Sequence, residues 1–170
     1  MTADDLARPR RIDRAIKSQA EIEAFLQRAP FGYTATSIGD QPFLHVGLFW
    51  YDPTVRRVYF HTARDGRTRD NVLANSRVCF GVAEIGRLLP ADTALEFSNE
   101  YASVIAFGRA RIVDDAEEKR RGLQGLLDKY FADLAPGRDY RPITDEEMAR
   151  TSVFAIEIEA WSGKQKVAPT

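Results

Sequence analysis

Near the C-terminal end, residues 152–161 alternate with a period of two. Phe154, Ile156 and Ile158 fall on one side, and Val153, Ala155, Glu157 and Glu159 on the other. That period predicts a closing β-strand with one face in a core and its carboxylates in water. Earlier, β-branched and aromatic residues over 33–38 predict a strand, Gly39-Asp40-Gln41-Pro42 a turn, and the aromatic-rich run 43–51 a second, longer strand. Asp52-Pro53-Thr54 then turns the chain into a third strand at 57–61, so the three are expected to form an antiparallel meander. Residues 77–83 and 101–113 predict two more strands, with Gly108 marking a bend or bulge in the second.

Three stretches switch to helical spacing. Ser18-Gln19-Ala20-Glu21 is a capping-box pattern, followed by Ile22, Phe25, Leu26 and Ala29 until Pro30 and Gly32 stop the helix. Asp114 with Glu117, or Asp115 with Glu118, opens a second helix whose stripe Leu123, Leu126, Leu127 and Tyr130 reads as packing. Thr144-x-x-Glu147 caps a short third one. Residues 84–99 contain Gly86, Pro90 and Ser98 and predict a long loop, with Arg87, Leu88, Leu89 and Phe97 as candidates for covering a site or a subunit contact. Residues 1–17 are rich in arginine and predict an N-terminal arm, leaving a single domain over 18–170. Helices flanking six or seven antiparallel strands, without βαβ alternation, predict a mainly β fold: a small barrel with peripheral helices. The glycines at 108, 122 and 125 do not make a dinucleotide-binding fingerprint.

Composition narrows the chemistry. The 170 residues suit one domain, and the net charge of −1 gives no reason to expect nucleic acid or an anionic membrane as partner. Cys79 is the only cysteine, which excludes an intrachain disulfide and a multi-cysteine zinc site, and its place between Val78 and Phe80 favours an inert thiol. No apolar run reaches membrane-spanning length and the N-terminus shows no signal-peptide core, so a cytoplasmic location is expected. His45 and His61 are the only histidines, and no H-E-x-x-H, G-x-S-x-G or P-loop pattern occurs. Metallohydrolase, serine hydrolase and P-loop chemistry are thereby disfavoured.

Residues 58–80, VYFHTARDGRTRDNVLANSRVCF, read as strand, glycine turn, basic helix and strand. Arg67, Thr68, Arg69 and Asn71 gather guanidinium, hydroxyl and amide donors where a helix begins. A helix N-terminus offers unpaired N–H groups and the positive end of its dipole, and arginine adds charge-assisted bonds, so the cluster suits a phosphate. On spacing alone the pattern reads more readily as a basic, solvated helix turn between two strands, because G-x-T with Arg on either side is a weak motif.

The segment HTARDGRTRDNVLANSRVCFGV resembles the flavin-phosphate segment of the FMN-binding split barrel proteins related to pyridoxamine 5′-phosphate oxidase. The similarity is greatest to the branch that includes nitroimidazole-resistance (Nim-type) proteins. EYASVIAFGRARIVDDAEEKRRGLQGLLDKY resembles that branch's next strand, glycine and helix, and the blocks agree in order from about Ile12 to Lys164. The sequence departs at Thr68, where many Nim-type members carry lysine, which shifts the phosphate contact to Arg67, Thr68 and Arg69.

The resemblance implies FMN as cofactor, bound at the interface of a homodimer. It places Val46, Gly47, Leu48 and Phe49 along the isoalloxazine edge, with Tyr59, Phe60, His61 and Thr62 beside them. Trp161 and Lys164, in the sequence Trp161-Ser162-Gly163-Lys164 at the end of the last strand, would serve the flavin's pyrimidine end, in the same subunit or the partner; Ser103 is a further candidate. The implied activity is electron transfer from NADH or NADPH to a small acceptor such as a nitroaromatic, with no acid or base assigned. The alternative is a non-catalytic flavin- or haem-binding module with His61 or His45 as axial ligand. Pyridoxamine phosphate oxidation itself is disfavoured, because the chain lacks the additional Arg and Lys contacts near its end.

Overall fold

The computed structural model describes residues 3–168. In chain order the elements are α1 (Ala3–Ala7), β1 (Ala15–Ile16), α2 (Gln19–Arg28), β2 (Gly32–Ile38), β3 (Gln41–Gly47), β4 (Trp50–Asp52), β5 (Arg57–Ala63), α3 (Arg67–Ala74), β6 (Arg77–Leu89), β7 (Ser98–Ile112), α4 (Ala116–Tyr130), α5 (Asp145–Ala149) and β8 (Thr151–Lys166). The strands form one antiparallel sheet in the order β3-β2-β6-β7-β8-β5-β4, with β1 added to β8. The first and last members of that order, β3 and β4, are consecutive in sequence and joined only by Leu48 and Phe49. So short a link forces the sheet to curl until its two ends approach. The result is a split barrel with flanking helices: the alternation pattern predicted the small barrel, and the family resemblance implied the split.

This closure corrects two expectations. The single strand expected over 43–51 is broken at Leu48 and Phe49, because the chain there crosses from one end of the sheet to the other. The expected meander is absent, since β3 pairs with β2 while β5 pairs with β4 and β8. Tyr130 of α4 ties the crossing. Its hydroxyl accepts from the Phe49 N–H (3.2 Å) and lies 2.9 Å from the Pro30 carbonyl and 3.1 Å from that of Phe49, either of which takes its single proton.

The expected loop 84–99 is also shorter than its sequence suggested. β6 and β7 stay paired through a register shift between Ile85 and Leu88, and only residues 90–97 leave the ladder. Arg87 pairs with Glu100 across that shift at 2.9 Å, while Leu88, Leu95 and Phe97 are exposed.

β8 runs on to Lys166, five residues beyond its predicted end. Trp161-Ser162-Gly163-Lys164 therefore lies inside a strand paired with β7 throughout and with β1 at its last two residues, Gly163 standing opposite Val104 and Ile16. A Cβ at Gly163 would meet Ile16 at 2.8 Å, so the glycine permits this close approach. The bend anticipated at Gly108 is a β-bulge: Phe107 pairs with Ala160 and Gly108 with Ile158, leaving Glu159 as the extra residue.

The barrel interior is filled by Phe25, Phe60, Phe80, Val104, Phe154 and Ile156, all almost fully buried. Val153 and Ala155, expected on the solvent face, are buried as well because α4 covers them together with Tyr59 and Val113. Glu157 and Glu159 do face outward, where Glu157 pairs with Arg57 at 3.1 Å and Glu159 with Arg109 at 3.0 Å. All three helix caps form: Ser18 accepts from the Glu21 N–H, Asp115 from the Glu118 N–H, and Thr144 with Glu147 makes a complete capping box. Within the N-terminal stretch, β1 pairs with β8, α1 lies against β7 and β8, and Ala7 and Ile16 are buried. No helix among the described residues is long and apolar enough to cross a membrane.

Candidate functional site

The half of β5 beyond its short pairing with β4 faces the edge strand β3 across the split of the barrel. Alternation along β5 sends Phe60 and Thr62 inward and Tyr59 and His61 toward α4. The ring of Phe60 stacks on His45 of β3 at 5.1 Å and on Phe154 at 4.7 Å, closing the interior below the split.

α3 seals the upper end. It starts at Gly66, whose φ of 147° lies where only glycine is comfortable, and no side chain caps its N-terminus. The Asp70 N–H returns to the Gly66 carbonyl (3.2 Å), so the N–H groups of Arg67, Thr68 and Arg69 are the orphan donors of the first turn. Their orientation is fixed on both flanks. On one side Asn71 Nδ2 donates to Thr36 Oγ1 of β2 (2.8 Å), and Asn75 Nδ2 to Ser37 Oγ (3.2 Å). On the other, Arg69 Nη1 donates to Ser152 Oγ of β8 (3.2 Å), which itself donates to the Arg64 carbonyl (2.8 Å). The Arg67 guanidinium lies over Phe43 of β3, 5.4 Å from the ring centre, and remains exposed. The outcome is a helix N-terminus with two arginines, held rigidly across the split.

Of the residues expected at the cofactor, Thr62, Arg67, Thr68 and Arg69 meet at this place. Asn71 belongs to it as an anchor: it is buried and points to Thr36. Phe49, Tyr59 and Phe60 are core residues, Phe49 against Phe80 (4.9 Å) and Tyr59 donating to Glu118 Oε1 (2.8 Å). Gly47 lies beside the His45 ring; a Cβ there would sit 3.1 Å from Nε2. Val46 and Leu48 are exposed on the outer face of the sheet with Tyr33 and Leu44. Ser103 and Lys164 are partners across β7 and β8 on that same outer face. Trp161 carries the Arg56 guanidinium 4.5 Å over its ring and donates Nε1–H to Gln19 (2.7 Å). His61 opens into a separate cavity under α4. Burial holds both imidazoles below the usual histidine range, and it raises the thiol of half-buried Cys79.

Phe43, Thr36 and Ser152 are part of the site without having been singled out from the sequence. They sit 24, 31 and 85 positions from Arg67, and no local motif ties such residues together. The period-two patterns of their strands were the available signal, since those patterns fix which face each residue takes.

The comparisons agree with this architecture. The family described as pyridoxamine 5′-phosphate oxidase matches residues 18–165. No match was found among curated proteins. Among solved structures, the flavocytochrome Anf3 from Azotobacter vinelandii is 26% identical, with a TM-score of 0.85 over 99% of this chain and 77% of its own. A FAD and heme binding protein from Mycobacterium smegmatis is 20% identical, with a TM-score of 0.79 over 91% and 74%. A putative 5-nitroimidazole antibiotic resistance protein from Bacteroides thetaiotaomicron is 19% identical, with a TM-score of 0.74 over 89% and 86%. Since the family match spans nearly all of the barrel and both of its split edges, this chain belongs to the pyridoxamine 5′-phosphate oxidase family.

Proposed function

We propose that the protein binds a flavin through its riboflavin phosphate, the moiety FMN and FAD share, and acts as an oxidoreductase. The observation that carries this reading is the uncapped N-terminus of α3 beside Arg67 and Arg69 at the split of the barrel. Each structural part has a reason to be there. The orphan N–H groups and helix dipole favour an anion, the arginines supply bidentate bonds to phosphate, and the bonds to Thr36 and Ser152 hold these donors in place before any ligand arrives. Two-electron transfer from a nicotinamide donor to a small acceptor, such as a nitroaromatic, is the chemistry a bound flavin supplies. FMN is the expected cofactor, and the FAD named for one relative makes FAD the competing form.

Homodimerisation belongs to this proposal. Tyr33, Leu44 and Val46 are exposed side by side on the outer face of the sheet, where pairing with a second copy would remove them from water. In such a dimer Ser103 and Lys164, on the same face, would stand at the partner's site.

The test is the visible spectrum of the purified protein, followed by NADH or NADPH without oxygen and chromatography of the released cofactor. A double flavin band that bleaches on reduction is expected, with FMN recovered; FAD would correct the cofactor, and failure to bind either after titration would overturn the proposal. A second reading, that the chain holds haem with or without flavin, draws on the names of two relatives, a flavocytochrome and a FAD and heme binding protein. The observation that favours it here is that His61 lines a cavity with Leu123, Leu126 and Leu127 of α4.

A further inference from the structure

We propose that the cavity beneath α4 and α5 binds a small apolar monocarboxylate, its tail against the leucines of α4 and its carboxylate on Arg141 and Tyr140. The site lies apart from the flavin phosphate site, because neighbouring residues of a strand face opposite ways: Thr62 of β5 belongs to the anion site and His61 to this cavity. Its volume is about 370 Å³, near the lower bound of small-molecule sites, which suits a single ring or a short chain. Leu123, Leu126 and Leu127 of α4, with Ile143, make its wall mainly apolar. Leu126 is buried, while Leu123 and Leu127 stay partly exposed at the cavity they line.

Polar bonds hold the walls in position. Between α4 and α5 the chain turns at Gly137, whose φ of 81° favours glycine, and runs back along α4. Gln124 Nε2 donates to the Tyr140 hydroxyl oxygen (2.9 Å), and Arg120 donates to the Ile143 carbonyl and to Asp145 (2.7 Å). Thr151 Oγ1 donates to the Glu147 carbonyl (2.9 Å), which fastens the end of α5 to β8. A cavity whose walls are already tied down costs little ordering when a ligand fills it.

The mouth carries the charge a carboxylate needs. Arg141 Nη2 donates to Glu147 Oε1 (2.8 Å) in a pair whose side chains are both more than half exposed, and exposed pairs are weak. Glu147 does not depend on that pair. Its Oε2 accepts from the Thr144 N–H (2.9 Å) and Oγ1 (3.1 Å), and the Thr144 N–H, ahead of Arg141, holds its carboxyl below the usual range. Arg141 can therefore turn to a second carboxylate while the α5 cap stays closed. Guanidinium and carboxylate match as a bidentate pair, which a neutral head group does not. The Tyr140 oxygen accepts from Gln124, and its own proton has no acceptor among the described residues, so it adds a second donor beside Arg141. Among the lining residues Arg141 is the one cation and Glu147 the one carboxylate, so a singly charged head fits better than a phosphate dianion.

The experiment is a calorimetric titration of the purified protein, its flavin content recorded, with octanoate and with octanol. Octanoate is expected to saturate a single site and to bind at least about tenfold more tightly than the alcohol. A groove that only shelters apolar surface would show the reverse order, because the alcohol is the more hydrophobic of the two. Arg141→Gln should abolish the preference for the acid and leave the melting temperature and flavin content unchanged, since the α5 cap does not need Arg141. Tyr140→Phe should weaken octanoate binding severalfold, and Leu127→Trp should weaken both probes by filling the cavity. No saturable binding, or a preference for the acid that survives in Arg141→Gln, would overturn the proposal. Displacement of octanoate by one equivalent of hemin, with a sharp Soret band, would overturn it in favour of the haem reading.

Discussion

Asn71 and Thr36 join α3 to β2 by a single 2.8 Å bond between two buried side chains. Together with the Arg69–Ser152 bond (3.2 Å) on the opposite flank, it sets the aim of the helix N-terminus. Thr36→Val keeps the shape and leaves the Asn71 amide unsatisfied, which costs about 1–3 kcal/mol. Denaturant unfolding should show that loss, and flavin affinity should fall with it. Unchanged stability would mean that Asn71 finds another partner.

Replacing Arg67 and Arg69 together by alanine removes the charged donors of the proposed phosphate site. Hydrogen bonds to charged groups are worth about 1.5–3 kcal/mol each, so flavin affinity should fall at least about tenfold. Arg67 is exposed and, among the described residues, Arg69 makes one side-chain bond, to Ser152, so thermal unfolding of the apoprotein should change little. Equal flavin affinity in the double variant would refute the phosphate site.

Lys129 gives the fold a pH dependence. Its ammonium lies 3.6 Å over the Phe49 ring and donates to the Ala29 carbonyl (2.8 Å), and burial pushes its pKa down to about 8. In the unfolded chain it titrates near 10.4. Below about pH 8 both states carry the charge and the burial penalty is fully present. Between the two values the unfolded chain holds a proton that the folded one has released, so this group's contribution rises with pH. Wild type should therefore gain more stability than Lys129→Met between pH 7 and 10 in denaturant titrations.

Gly108 has no room for a side chain, because a Cβ would collide with the Glu157 carbonyl oxygen at the bulge. Gly108→Ala should destabilise by about 1–3 kcal/mol or more, seen as a lower melting temperature. A neutral effect would show that the bulge can migrate along β8.

The outer face offers a direct test of self-association. Val46→Lys places a charge among Tyr33, Leu44 and Leu48, all exposed in the single chain. If a second copy covers this face, sedimentation should show a dimer for wild type and a monomer for the variant. A wild-type monomer would instead show that the face stays in water.

Local order determined much of this protein in advance. Ser18, Asp115 and Thr144 cap their helices because a cap needs only a side chain and an N–H three residues on, a relation contained in the sequence. Gly66 and the arginines after it likewise announced a glycine turn that opens a basic helix, and alternation over 152–161 announced the closing strand. Tertiary structure alone decided the rest. Leu48 and Phe49 look like strand residues, yet closure of the barrel takes them out of the ladder. Val153 and Ala155 sit on what reads as the wet face until α4 lies over it. Trp161 to Lys164 become strand interior because β7 pairs with all four and β1 returns to pair with Gly163 and Lys164. Ser152 meets Arg69 across 83 positions of chain. Each of these depends on which distant segment arrives at a surface, and hydrophobic period specifies the face a residue takes without specifying what will cover it.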